Sequence, residues 1–156
     1  MAKEQFLSVK EIGENIQKLK NYMKSHTLDS FYISSSDIFL NEYVPLSDCH
    51  RYYLTNFTGS TSEVIVPLSG KVILFVDGRY YEQADMEVDA SLVEVFKCPY
   101  GMSLRAAMKQ IIKERKLSHL GVEGDRIDLS LFKDFKTVTT VKSFNSSELS
   151  SVITFK

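Results

Sequence analysis

The sequence predicts an α/β domain of three layers, with a mixed β-sheet flanked by helices, and three observations lead to that reading. Short β-branched runs alternate with segments whose apolar residues recur every three to four positions. Two of the runs, 64–68 and 71–76, are separated only by Ser69-Gly70, a tight hairpin that brings antiparallel pairing into the sheet. Leu104, Ala107, Met108, Ile111 and Ile112 trace an amphipathic stripe that needs a sheet to cover it.

The elements follow in order. Val9, Ile12, Ile16, Leu19 and Met23 share one helical face, and Ser8 with Glu11 forms a capping box that starts the helix. Phe31, Tyr32 and Ile33 read as a short strand; 34–50, with Pro45 and several Ser and Asp residues, reads as loop. After the hairpin, Asp77 is the expected N-cap of a helix carrying Tyr80, Ala84 and Val88 on one face. A strand at 92–96 leads to the amphipathic helix, and 120–123 is the next strand. A short helix at 129–135, a strand at 138–141 and a final helix capped by Asn145 complete the series.

Composition sets limits on function. The 156 residues suffice for a single domain, 1–156, burying roughly 70% of the surface of its unfolded chain. Nineteen Lys and Arg against twenty Asp and Glu leave a net charge of −1, with no basic stripe, so nucleic acid is not an expected partner. The longest apolar run, 72–76, is too short to cross a bilayer, and the first residues lack the apolar centre of a signal peptide. A cytoplasmic protein with two reduced cysteines, Cys49 and Cys98, is expected.

No local motif supplies chemistry. Cys49-His50 has no second ligand pair at metal spacing, so no metal is expected in this chain; His26 and His119 stand alone. Phe57-Thr58-Gly59-Ser60 is not a nucleophile elbow, and no phosphate-binding glycine loop is present. Glu123 and Asp125 are a spacing that twenty acids produce by chance. Arg79 is the oddity: in a first helical turn it meets the positive end of the dipole, at a cost of roughly 0.3–1 kcal/mol. Either Glu82 and Gln83 accept its hydrogen bonds, or it binds a carboxylate.

Three stretches together resemble the N-terminal domain of the creatinase, prolidase and aminopeptidase P family: "FLNEYVP" (39–45), "RYYLTNFTGS" (51–60) and "LFVDGRYYEQA" (74–84). "LGVEGDRIDLSLFKDF" (120–135) is similar to a later segment of the same domain. Asn56 stands where that family has glycine, and asparagine is the next best residue for a positive φ. Thr61-Ser62 replaces the usual Ala-Gly, making the loop bulkier.

The resemblance implies a non-catalytic domain of a metal-dependent Xaa-Pro aminopeptidase. Similar enzymes carry two divalent metal ions, Mn²⁺ or similar, in a separate C-terminal catalytic domain, which a chain ending at Lys156 would lack. It further implies partners: that catalytic domain, a homo-oligomer, and short peptide substrates of the whole enzyme. Tyr52, Phe57, Thr58, Gly59, Ser60 and Arg79 are the residues expected at a substrate entrance or subunit interface. Asp77, Gly78 and Tyr80 are expected to form the structural corner behind them. The alternative is a stand-alone protein-interaction module without peptidase activity, with Tyr52, Tyr53, Tyr80 and Tyr81 as exposed anchors.

Overall fold

Two wholly buried strands explain the middle of the sheet. In the computed structural model, which describes residues 7–34, 39 and 49–153, β1 (Ser30–Ile33) and β3 (Val72–Val76) are buried at every position. Both faces of the sheet are covered there, so these sequences run apolar instead of alternating. β2 (Glu63–Pro67), β4 (Val93–Lys97), β5 (His119–Glu123) and β6 (Thr140–Phe144) complete one six-stranded sheet in the order β4-β3-β2-β1-β5-β6. β2 runs antiparallel to β1 and β3, whereas β1–β5, β5–β6 and β3–β4 are parallel. The mixed α/β sheet is thus observed, and Gly70 adopts φ 102° in the hairpin as its position requires.

Helices cover both faces. α1 (Val9–Ser25), α2 (His50–Thr55), α3 (Tyr81–Glu87) and α6 (Ser146–Val152) pack on one, around Leu19, Met23, Phe31 and Leu74. α4 (Leu104–Glu114) and α5 (Leu129–Lys136) pack on the other, around Tyr32, Ile65, Ile73 and Phe135. Each fully buried Leu, Ile or Phe contributes about 1.5–3 kcal/mol. The Ser8 and Glu11 capping box starts α1, with reciprocal bonds of 3.1 and 2.9 Å. Ser103, Asp128 and Asn145 cap α4, α5 and α6 with their side chains.

Three expectations are corrected. The loop reading of 34–50 falls mostly outside the described residues, as does "FLNEYVP" apart from Phe39, but its end is helix: α2 begins at His50 and is buried at all six residues. A short segment buried on every side has no exposed face to separate polar from apolar residues, hence no helical period to read. Asp77 caps a 3₁₀ turn, Gly78–Tyr80, and α3 starts only at Tyr81. β6 lies two residues beyond the predicted 138–141 strand, at Thr140–Phe144, because Val138 still closes the turn that follows α5, bonding the Phe135 carbonyl.

Connections from the parallel neighbours β1 and β5 leave to opposite faces, as do those from β3 and β4. The chain that leaves β1 returns through α2 on the α1 face, whereas the chain that leaves the adjacent, parallel β5 enters α5 on the opposite face.

Candidate functional site

Residues 57–60 form the loop that the sequence singled out, and three elements pin it. α2 ends at Asn56 in the left-handed conformation, φ 67°, so the chain reverses and turns back over its own helix. Arg51, near the start of α2 and 3% exposed, donates to the Gly59 carbonyl at 2.5 Å and to Ser62 Oγ at 2.8 Å. Its guanidinium lies 5.4 Å from the Phe57 ring centroid. From α3, the Glu87 carboxylate accepts the Thr58 N–H at 2.7 Å and the Thr58 hydroxyl at 2.8 Å, while Gln83 donates to the same hydroxyl oxygen at 3.0 Å. Tyr80 and Ser60 share a hydroxyl–hydroxyl bond of 2.7 Å. Gly59 has no room for a side chain, since a Cβ there would stand 2.6 Å from Phe57 Cε2 and 3.0 Å from Tyr80 Cδ1. Such a loop is preorganised: its backbone is held before any partner arrives.

The expected residues divide by exposure. Tyr52 and Phe57 are 2% and 0% exposed, and Gly59 is also buried. Thr58, Ser60 and Tyr80 are half-buried, and the Arg79 side chain is open. Burial raises the Tyr52 hydroxyl above the usual tyrosine range. The expectation that Tyr52 and Tyr53 are exposed anchors is corrected, because α2 is covered by α1 and the sheet; Tyr80 and Tyr81 are half-buried.

Arg79 turns to neither Glu82 nor Gln83. Its Nε and Nη2 reach back to the two Asp77 oxygens at 3.2 and 3.0 Å, and its guanidinium stands 5.2 Å from the Tyr80 ring centroid. Those bonds hold the Asp77 carboxyl below the usual range, and they answer the dipole cost, since Asp77 is an anion at the same helix start. Asp77, Gly78 and Tyr80 thus make one corner, joined through Ser60 to the 57–60 loop.

A second polar centre lies beside it and was not foreseen. His50 Nδ1 is 2.6 Å from Glu123 Oε2, and its Nε2 is 3.0 Å from Ser150 Oγ; His50 and Glu123 are 4% and 2% exposed. The order Ser150–His50–Glu123 has the connectivity of a hydrolase relay. Ser150 nevertheless sits inside α6 and donates to the Ser146 carbonyl at 3.2 Å, so its hydroxyl proton serves the helix. The arrangement fastens α6 to β5 through α2. Nothing local could have revealed it, for its members lie far apart in sequence. Among the described residues, no three or more His, Cys, Asp or Glu side chains gather to hold a metal ion.

Known proteins share the sequence pattern and the fold. The family model of the Creatinase/Prolidase N-terminal domain matches residues 15–152. An Xaa-Pro aminopeptidase 1 of Dictyostelium discoideum is 32% identical over 140 residues, covering 86% of this chain but 21% of its own length. An X-prolyl aminopeptidase of Caenorhabditis elegans, described as a cytosolic enzyme with a di-nuclear active site, superposes with a TM-score of 0.72 at 20% identity, over 92% of this chain and 26% of that one. The N-terminal domain of a cytoplasmic peptidase of Mycobacterium tuberculosis gives 0.67 at 19% identity, over 88% of this chain and 97% of that domain. The chain therefore spans about a fifth of the length of the curated relative it matches over most of its residues.

Proposed function

Because the chain belongs to the creatinase/prolidase N-terminal domain family, we propose that 1–156 is a single non-catalytic domain of a metal-dependent Xaa-Pro aminopeptidase. The observation that carries this reading is coverage: the family match takes up nearly the whole chain, and the Dictyostelium relative is almost five times longer than the part it shares. The bond between an N-terminal residue and proline would be cut in a C-terminal domain beyond this chain. The described residues offer no fit for two metals, so that domain would hold them, activating a water and polarising the scissile carbonyl. Both cysteines are free and buried and no described helix is long and apolar enough to cross a membrane, which supports a cytoplasmic setting.

In this reading the 57–60 loop and Arg79 front a neighbouring subunit's active-site entrance in a homo-oligomer, admitting short peptides. The pinned backbone supports that role, since a rigid rim excludes longer chains without ordering cost. Tyr52 would act from beneath, as the buried floor of the loop.

The test compares two proteins, the 156-residue chain and the longer protein that contains it, with X-Pro peptides and Mn²⁺. The longer protein should release the N-terminal residue and lose that activity to a chelator, whereas the chain alone should be inert. Metal-dependent release by the chain alone, or inactivity of the longer protein, overturns the proposal.

A further inference from the structure

The divergence of connections between β1 and β5 has a chemical counterpart. In open α/β sheets a crevice forms beyond the carboxyl ends of two parallel strands whose connections leave to opposite faces, and ligands bind in it. Here such a crevice exists: a cavity of about 170 Å³ lies at the ends of β1 and β5, on the face covered by α4 and α5. A cavity of ~150 Å³ is enough for a benzene-sized ligand.

Its lining is charged and balanced. Tyr32 of β1 donates to Glu63 Oε1, at the start of β2, at 2.7 Å, so the phenol fixes one carboxyl oxygen. Asp128, from the turn after β5, supplies a second carboxyl. Two guanidinium groups share the lining: Arg126 from the same turn, 5% exposed, with its Nε 3.9 Å from Glu123, and Arg105 from α4, which donates to Ser130 Oγ at 2.9 Å and stands 3.9 Å from Asp128 and 3.5 Å from Asp134. Met108 closes the apolar side. Two acids and two arginines around a space of this size match a ligand that carries both charges. A lone anion would face Glu63 and Asp128; a lone cation would face Arg105 and Arg126.

We infer that this crevice is a binding site for a small zwitterionic amino acid, its ammonium held by Glu63 and Asp128 and its carboxylate by Arg126 and Arg105. Bidentate guanidinium–carboxylate pairing supplies orientation, and enclosure in the crevice strengthens both charge contacts. Glu63 is suited to the task. Burial pushes its carboxyl up to about 7, against the pull of the Tyr32 bond and of Arg51 and Arg105, with Asp128 adding to the push. An arriving ammonium favours the carboxylate form, so binding near neutral pH releases a proton. The inference does not depend on the peptidase reading.

Calorimetric titration of the 156-residue chain with L-alanine and L-proline tests it, with acetate and ethylammonium as single-charge controls. At least one amino acid should bind saturably, with a dissociation constant tenfold or more below those of both controls. Glu63→Gln, which preserves shape, should weaken that binding at least tenfold. Met108→Phe, which fills the cavity and leaves every charge in place, should abolish it. Melting curves confirm that each variant folds, and if Met108→Phe does not, the Glu63→Gln titration decides. Absence of saturation by both amino acids up to about 50 mM, binding of acetate as tight as that of the amino acids, or binding unaffected by Glu63→Gln overturns the inference.

Discussion

At the scale of single residues, the informative positions are polar groups inside the fold. Glu63 is the clearest. An unfolded glutamate titrates near 4.5, and in the folded chain the same carboxyl is raised to about 7. The folded state therefore binds the proton more tightly, and the associated stability is complete below about 4.5, falls as pH rises toward 7 and is gone above it. Tyr32, Asp128, Arg51 and Arg105 are the charged or titratable groups acting on it. Glu63→Gln removes the titration, so urea midpoints of variant and wild type should diverge with pH, the variant gaining about 2 kcal/mol on the wild type between pH 5 and 8. A difference that stays flat with pH would sink the argument. None of this was legible in the sequence, where Glu63 is one acid of twenty beside a strand. The same is true of Arg51, Glu87 and the His50–Glu123 pair, which acquire partners only when distant elements meet. Asp77 and Ser8 were legible because a cap bonds within three residues.

At the scale of elements, periodicity carried α1 and α4, which each keep one polar side, and alternation with helices carried the strands. α2 escaped because it is short and has no exposed side, its polar residues being buried with the apolar ones. Its end was nonetheless foreseeable, since asparagine tolerates the left-handed region better than any residue but glycine. Asn56 does more than turn the chain: its Oδ1 accepts the Leu7 N–H at 3.0 Å and its Nδ2 donates to the Leu7 carbonyl at 3.3 Å, tying the segment before α1 to the end of α2. Two variants separate these roles. Asn56→Gly keeps the backbone and loses the Leu7 bonds, for about 0.5–1.5 kcal/mol. Asn56→Ala loses both, for roughly another 1 kcal/mol. Chemical denaturation should therefore rank wild type, glycine variant and alanine variant in falling order. An alanine variant as stable as the glycine one would show that the left-handed turn is not what fixes the end of α2.

At the scale of the whole molecule, the three-layer arrangement was readable because it follows from repetition, while the loop's supports and the crevice depend on which strands become neighbours. The pairing of β1 with β5 sets Ser30 against Leu120, partners from opposite ends of the chain. That neighbourhood dictates an order of events in time. β2 and β3 can zip as a hairpin and β1 can join them from nearby, but the outer edge of β1 has no partner until His119–Glu123 has been made and has docked. Closing so long a loop is slow, and an apolar edge left open during the wait recruits other chains. A chain stopped after Lys116 should therefore associate into large species on size-exclusion chromatography, where the 156-residue chain does not; a truncated chain that elutes as a folded monomer would refute this. For a domain made on the ribosome, the exposed interval lasts from the emergence of Phe31 to that of Glu123. The strand nearest the start of the domain is thus the one that waits longest for its second neighbour.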